Sequence, residues 1–180
     1  MAVLRKALAY SKKKVLPYTR ISKKKKKSFI KTVPPQKIVK FTMGRPDLYD
    51  AGKLPFSLTV LSLEKVQVRH NALEACRQYV NKKLEKELVG QYVFNVIPFP
   101  HHIQRENKML TGAGADRMQT GMQLAFGKSV GKAAILKPGS KMFFIAVPNK
   151  KAVSFARKLI KQIKSKLPGK IKIIEENNSK

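Results

Sequence analysis

The sequence predicts an α+β fold: a two-layer sandwich with two helices on a mostly antiparallel sheet, preceded by an extended basic arm. Three observations carry this. Two stretches repeat apolar residues every three or four positions, which gives each helix a single apolar face. About six short runs of strand-forming residues are separated by turn residues. The first 46 residues hold fifteen Lys and Arg and no acid, a composition that cannot contribute much to a core. Two helices with one apolar face each are best buried on the same side of a sheet.

The arm is residues 1–36. Its run Lys23, Lys24, Lys25, Lys26 and Lys27 cannot fold on itself because like charges repel. Pro17, Pro34 and Pro35 favour extended backbone, and Tyr10, Tyr18 and Phe29 lie among the bases with rings that can stack on nucleobases. The domain proper is residues 37–176, and residues 177–180 read as a frayed tail. Residues 37–42 (KIVKFT) read as a short strand, 43–55 as a turn-rich loop, and 56–63 (FSLTVLSL) as a second strand.

The first helix is expected over 71–89. Asn71 is its N-cap and Glu74 suits its first turn. Leu73, Cys76, Val80, Leu84 and Leu88 share one face, and Gly90 ends it. Cys76 lies on that face, so it reads as core rather than as a reactive thiol. Residues 92–97 (YVFNVI) make another strand. Residues 118–126 fit strand and helix periodicities alike, and flanking Gly121 and Gly127 favour an extended segment. Residues 132–137 and 141–147 flank Pro138-Gly139-Ser140 and read as a hairpin. The second helix is expected from Lys150 to Leu167, capped by Asn149 and stopped by Pro168-Gly169, with Val153, Ala156, Ile160, Ile163 and Leu167 on its apolar face. Residues 170–175 (KIKIIE) close the domain as a strand.

Half of the ten glycines, Gly112, Gly114, Gly121, Gly127 and Gly131, fall within 101–132. Basic Arg105, Lys108, Arg117, Lys128 and Lys132 are interspersed, against only Glu106 and Asp116. From Thr111 to Ala115 nearly every side chain is tiny, so burial there returns little. Residues 104–117 therefore read as a long functional loop that a large anion can approach closely.

The formal net charge of +29 works against compaction and calls for a polyanion. Nucleic acid comes first. A membrane surface is the weaker choice, because no apolar run approaches the ~18 residues of a spanning helix and the bases are not confined to one amphipathic helix. The sequence shows no signal peptide, and a single cysteine fits a reducing cytoplasm.

Catalytic and cofactor readings fare poorly. GMQLAFGKS (121–129) resembles a phosphate-binding loop, but that motif has four residues between its glycines, and here there are five, mostly bulky. GAGA (112–115) is not the dinucleotide fingerprint, whose third glycine would fall at Arg117. Neighbouring His101 and His102 point to opposite sides of an extended chain, and His70 with lone Cys76 offers no recognised ligand spacing. Glu106 and Asp116 stand beside Arg105 and Arg117, which would hold them ionised. No enzyme activity, cofactor or metal is expected.

Five motifs carry a resemblance: RHNALEA (69–75), RENKM (105–109), GAGADR (112–117), QTGM (119–122) and AFGK (125–128). Together, in this order, they resemble the universal large-subunit ribosomal protein L sixteen family in its archaeal and eukaryotic branch, called L ten e, and the archaeal form most. The resemblance spans about 37–174. The arm departs from it: the family's Arg-Pro-Ala-Arg-Cys-Tyr-like opening is missing, and only Pro17-Tyr18-Thr19-Arg20 is similar to the segment next to that opening.

The resemblance implies an α/β-hammerhead-like domain in the cytoplasmic large ribosomal subunit, near the central protuberance and the peptidyl transferase centre. It implies large-subunit rRNA, tRNA acceptor ends and neighbouring ribosomal proteins as partners, and late assembly. The protein would position tRNA rather than catalyse. On charge and motif together, the candidate rRNA contacts are Arg5, Lys6, Lys12, Lys13, Lys14, Arg20, Lys23, Lys24, Lys25, Lys26, Lys27, Arg69, His70, Lys128 and Lys132. The tRNA-proximal candidates in the loop are Arg105, Asn107, Lys108, Gly112, Gly114 and Arg117. The alternative is a free RNA-binding protein or an RNA-modifying enzyme.

Overall fold

Two antiparallel sheets share one helical layer in this computed structural model, which describes residues 10, 19, 30, 32–106 and 128–177. The strands are β1 (Thr42–Gly44), β2 (Phe56–Ser62), β3 (Val66–Arg69), β4 (Val93–Val96), β5 (His102–Glu106), β6 (Lys128–Leu136), β7 (Lys141–Val147) and β8 (Ile171–Asn177). The helices are α1 (Pro46–Asp50), α2 (His70–Leu88) and α3 (Lys150–Ile163), the last followed by a 3₁₀ turn, Lys164–Lys166. One sheet has the order β1-β4-β7-β2-β8 and the other β3-β6-β5. All of their pairings are antiparallel. The fold is thus the α+β sandwich expected, with its sheet divided in two.

Strand β7 lies at the centre of the larger sheet because both of its faces are apolar. Met142, Phe143, Ile145, Ala146 and Val147 have no exposed surface. Strand β8 alternates and carries Lys172, Glu175 and Glu176, a pattern suited to the sheet edge that it forms. Helix α3 buries Val153, Ala156, Ile160 and Ile163 on β2 and β7. Helix α2 buries Leu73, Cys76, Val80 and Leu84, lies beside α3, and reaches β4 of one sheet and β3 and β6 of the other. Val66, Val68, Ala134 and Leu136 of the smaller sheet accordingly join the same core as Leu58, Phe94 and Ile145.

Several expectations are corrected. Residues 37–42 do not form a strand; pairing begins only at Thr42 and runs to Gly44, opposite β4. The expected loop 43–55 contains α1, begun by Pro46, whose missing N–H costs nothing at a helix start. Leu48 and Tyr49 of α1 cover the other face of the large sheet, with the Tyr49 ring edge-on to Phe144 at 5.5 Å.

The expected hairpin is a turn without a ladder. Gly139 adopts φ 81°, and the Ser140 amide closes the turn on the Lys137 carbonyl at 3.1 Å. The Gly139 amide then donates to the Ser62 carbonyl at 2.7 Å, so the turn seats on the end of β2. From there β6 enters the small sheet and β7 the large one. Turn chemistry fixes a chain reversal, but partner choice depends on which faces must be buried. Strands β3 and β5 were not read from the sequence, and Gln104 to Glu106, assigned there to the loop, end β5.

The helix ends also shift. Helix α2 begins at His70 with Arg69 at the cap position, and Glu74 hydrogen-bonds Arg77 and Gln78 rather than the helix start. Asn149 does stand at the cap position of α3, but its side chain makes no capping hydrogen bond, and only its carbonyl accepts, from the Val153 amide at 3.1 Å. The α-helix stops at Ile163, short of Leu167.

Candidate nucleic-acid interface

The small sheet gathers the basic candidates that the structure describes. Strand β3 runs directly into α2, so Arg69 ends a strand and His70 opens a helix. Across the sheet, Arg69 and His102 both pair with Ala133 of β6, and Gln104 pairs with Gly131. Paired residues in an antiparallel ladder face the same way, and alternate residues share a face. Val66, Val68, Ile103, Ala134 and Leu136 therefore turn toward the helices. Gln67, Arg69, His102 and Gln104 turn the opposite way.

This outer face is polar but covered. Gln67, Arg69, His102 and Gln104 are all buried, and the Gln104 amide donates to Gln67 across the strand between them. Three described residues of the arm help to explain the cover. The Arg69 guanidinium lies 4.6 Å over the Tyr10 ring. Ile30 is buried, and the Ser129 hydroxyl donates to the Thr32 carbonyl at 2.6 Å. Tyr10, expected to be open to nucleobases, is thus 8% exposed and engaged with Arg69.

His70 is the electrostatic centre. It is 4% exposed, its Nδ1 makes no hydrogen bond, and its ring lies against Gly131, where an added Cβ would sit 3.4 Å from Nε2. Burial pushes its pKa from 6.5 down to about 4, reinforced by the charges of Lys37, Lys132 and Arg69. All three charged neighbours are cations, from the segment before β1, from β6 and from β3. His102 is likewise pushed down to about 4, by burial first and then by His101 and Arg105. Both imidazoles are neutral near pH 7 and can still donate one hydrogen bond. The cations that act on these imidazoles, Lys37, Arg69 and Lys132 on His70 and Arg105 on His102, come from the segment before β1 and from all three strands of the small sheet.

Strands β5 and β6 then lead out of the domain together. Arg105 pairs with Ser129 and Glu106 with Lys128, after an irregularity at Gln104 and Arg105. In sequence, the glycine-rich stretch joins these two strands. Arg105 is half-buried and Lys128 exposed at its base.

Of the sequence-derived candidates, Arg69, His70, Lys132, Arg105 and Lys128 thus sit on one small sheet and its exit. Arg5, Lys6, Lys12, Lys13, Lys14, Arg20 and Lys23 to Lys27 lie outside the described residues, as do Asn107, Lys108, Gly112, Gly114, Arg117 and the extended segment expected over 118–126. Sequence reasoning missed Lys37, Gln67 and Gln104. The polar positions of VQVR and HIQRE, alternating with Val68 and Ile103, carried the signal.

Other chemistry finds little support. Among the described residues, no three His, Cys, Asp or Glu side chains come together as metal ligands. Cys76 is fully buried, and burial pushes its thiol up to about 12, so it is core. No helix among the described residues is long and apolar enough to cross a membrane.

Comparison with known proteins agrees in one direction. The family model described as Ribosomal protein L16p/L10e matches residues 17–174. Large ribosomal subunit protein uL16 of Hyperthermus butylicus is 44% identical over 153 residues, covering 84% of this chain and 79% of that protein. The uL16 proteins of Staphylothermus marinus and Sulfolobus acidocaldarius are each 40% identical, over 172 and 173 residues, covering 95% and 94% of this chain and 92% of each relative.

Proposed function

The chain belongs to the ribosomal protein L16p/L10e family, and from that premise we propose that it binds large-subunit rRNA beside the central protuberance and the peptidyl transferase centre, where it helps to position tRNA acceptor ends. It is a structural, RNA-binding constituent of the large ribosomal subunit and not an enzyme. Its partners are rRNA and neighbouring ribosomal proteins, and its place is the cytoplasmic ribosome.

The observation that best supports the finer reading is the convergence of Lys37, Arg69 and Lys132 around buried His70, on the sheet whose strands lead into the glycine-rich stretch. A dense cationic centre answers a phosphate backbone, and bound RNA would offset its self-repulsion. On this reading Arg69, His70, Lys128 and Lys132 face rRNA with the basic arm. Arg105, Asn107, Lys108, Gly112, Gly114 and Arg117 approach tRNA, where small side chains permit close contact. Peptide transfer is left to RNA, with the protein holding geometry.

Replacing Gly112 and Gly114 together by Val tests this. Neither lies in a described element of the domain, so the variant should fold and cosediment 1:1 with large subunits at high salt. Bulk at the tip should then slow tRNA accommodation or late assembly. A double-valine variant that translates at the normal rate would overturn the tRNA role. Failure of the unmodified protein to cosediment at high salt would overturn the placement itself.

A further inference from the structure

Helix α2 does not end on a glycine. The residue that turns left-handed is Val89 (φ 43°, ψ 57°), the only non-glycine at positive φ among the described residues, one place ahead of Gly90 (φ 77°). A β-branched residue there is a steric outlier. Its side chain gains nothing by burial, since Val89 is 77% exposed. Strain kept without a packing return points to a surface role.

Val89 stands at the rim of a groove of about 660 Å³ between α2 and the segment leading into α1, with Val39, 75% exposed, also at its edge. That size suits one small ligand. The groove owes its shape to Gly44 (φ 84°), where an added Cβ would lie 2.0 Å from the Tyr92 carbonyl oxygen. Only glycine lets these two backbones come so close. The Arg45 amide then donates to that carbonyl at 3.0 Å, and the Arg45 side chain is carried over Gly90 beside Val89. Arg45 has no ion-pair partner among the described residues.

The floor is fixed in advance. Glu74 holds Arg77 at 2.6 and 2.8 Å and Gln78 at 2.9 Å. The Tyr92 hydroxyl lies 2.7 Å from Glu85 Oε2 and 2.8 Å from Asn81. The Asn81 atom is its amide oxygen Oδ1, so both partners accept and share the one hydroxyl proton. Two of the ten carboxylates of a +29 chain thus line one groove. Carboxylates repel phosphate but accept from the amino and imino groups of a nucleobase. Aliphatic walls and a guanidinium plane suit the flat face of an unstacked base.

We propose that this groove receives one extruded, unpaired base of an RNA strand, with Val39 and Val89 against its faces, its donor edge on Glu85, and Arg45 and Lys40 on the adjoining phosphate. The proposal rests on the RNA-binding reading above and adds a base-reading site to it.

The test uses the full chain with each of the four nucleoside 5′-monophosphates, followed through the valine methyl resonances. Binding should shift Val39 and Val89 and be weakened about tenfold by Val89→Gly or Arg45→Ala. Glu85→Gln should change the preference among the four bases. Val89→Gly should also raise the Tm by about 2–4 °C, because the strain is gone. That rise would show that lost binding is not lost folding. Unchanged nucleotide binding in Val89→Gly would overturn the proposal, as would a Lys- and Arg-rich peptide shifting these resonances where nucleotides do not. In either case intact rRNA binding by the variants would leave the wider reading standing. Loss of rRNA binding in the unmodified protein would overturn both.

Discussion

Buried His70 and His102 give the domain an acid limit well above that of its carboxylates. Each has an ordinary pKa of 6.5 and a folded value of about 4, burial being the larger cause. A base depressed on folding binds its proton more readily in the unfolded chain. Stability is therefore full above about pH 6.5, falls as the pH drops toward 4, and levels off below. The two shifts allow a loss on the order of 3 kcal/mol per imidazole at most. Lys37, Arg69 and Lys132, the charged groups that act on His70, are all cations, so none of them offsets the effect. Glu74, depressed by its hydrogen bond to Arg77, adds its own loss only at lower pH. Urea midpoints should drop between pH 7 and 5, and the double change His70→Asn with His102→Asn should flatten that drop. A midpoint independent of pH over this range would mean that neither imidazole is buried as described.

At the scale of elements, α2 and α3 carry the core, and they differ in how much of that is legible. Leu84 and Ile160 have no exposed surface, while Lys161 one residue on is exposed. Leu84→Asp or Ile160→Asp would bury an unpaired charge and cost several kcal/mol, roughly 3–5, whereas Lys161→Ala should stay within ~0.5 kcal/mol. Chemical denaturation of the three variants checks this, and equal midpoints would refute the stripe assignment. The stripes were visible because one face of each helix alone enters the core. Strands β3 and β5 were not, because their outer face carries Gln67, Arg69, His102 and Gln104. Buried polar residues look like surface residues in a sequence.

For the whole molecule, the question is how a chain of +29 stays folded while remaining a polyanion binder. Part of the answer is the arm. Tyr10 and Ile30 are buried, so the arm is tied down at those points, while Lys23 to Lys27 lie between them in sequence. Changing these five lysines to glutamine should leave the fold intact and lower the magnitude of the salt dependence of RNA binding. Each phosphate no longer neutralised should reduce the slope of log K against log salt by about 0.9 on duplex or 0.7 on single strands. An unchanged slope would show that the run touches no phosphate. Tyr10→Ala should do the reverse: removing the ring beneath the Arg69 guanidinium should cost stability more than it changes the slope.

The sequence by itself determined the two helices, the central strands, the buried Cys76 and the basic, RNA-seeking character of the chain. Each of these arises from local periodicity or from summed charge, which a linear reading can count. Only the tertiary structure decided that β6 and β7 part at Gly139, that a second sheet exists, and that Tyr10 covers Arg69. It alone decided that Lys37 and Lys132, nearly a hundred positions apart, act on the same imidazole. Pairing and burial of this kind are set by which faces must leave water together, and that depends on residues distant in the chain.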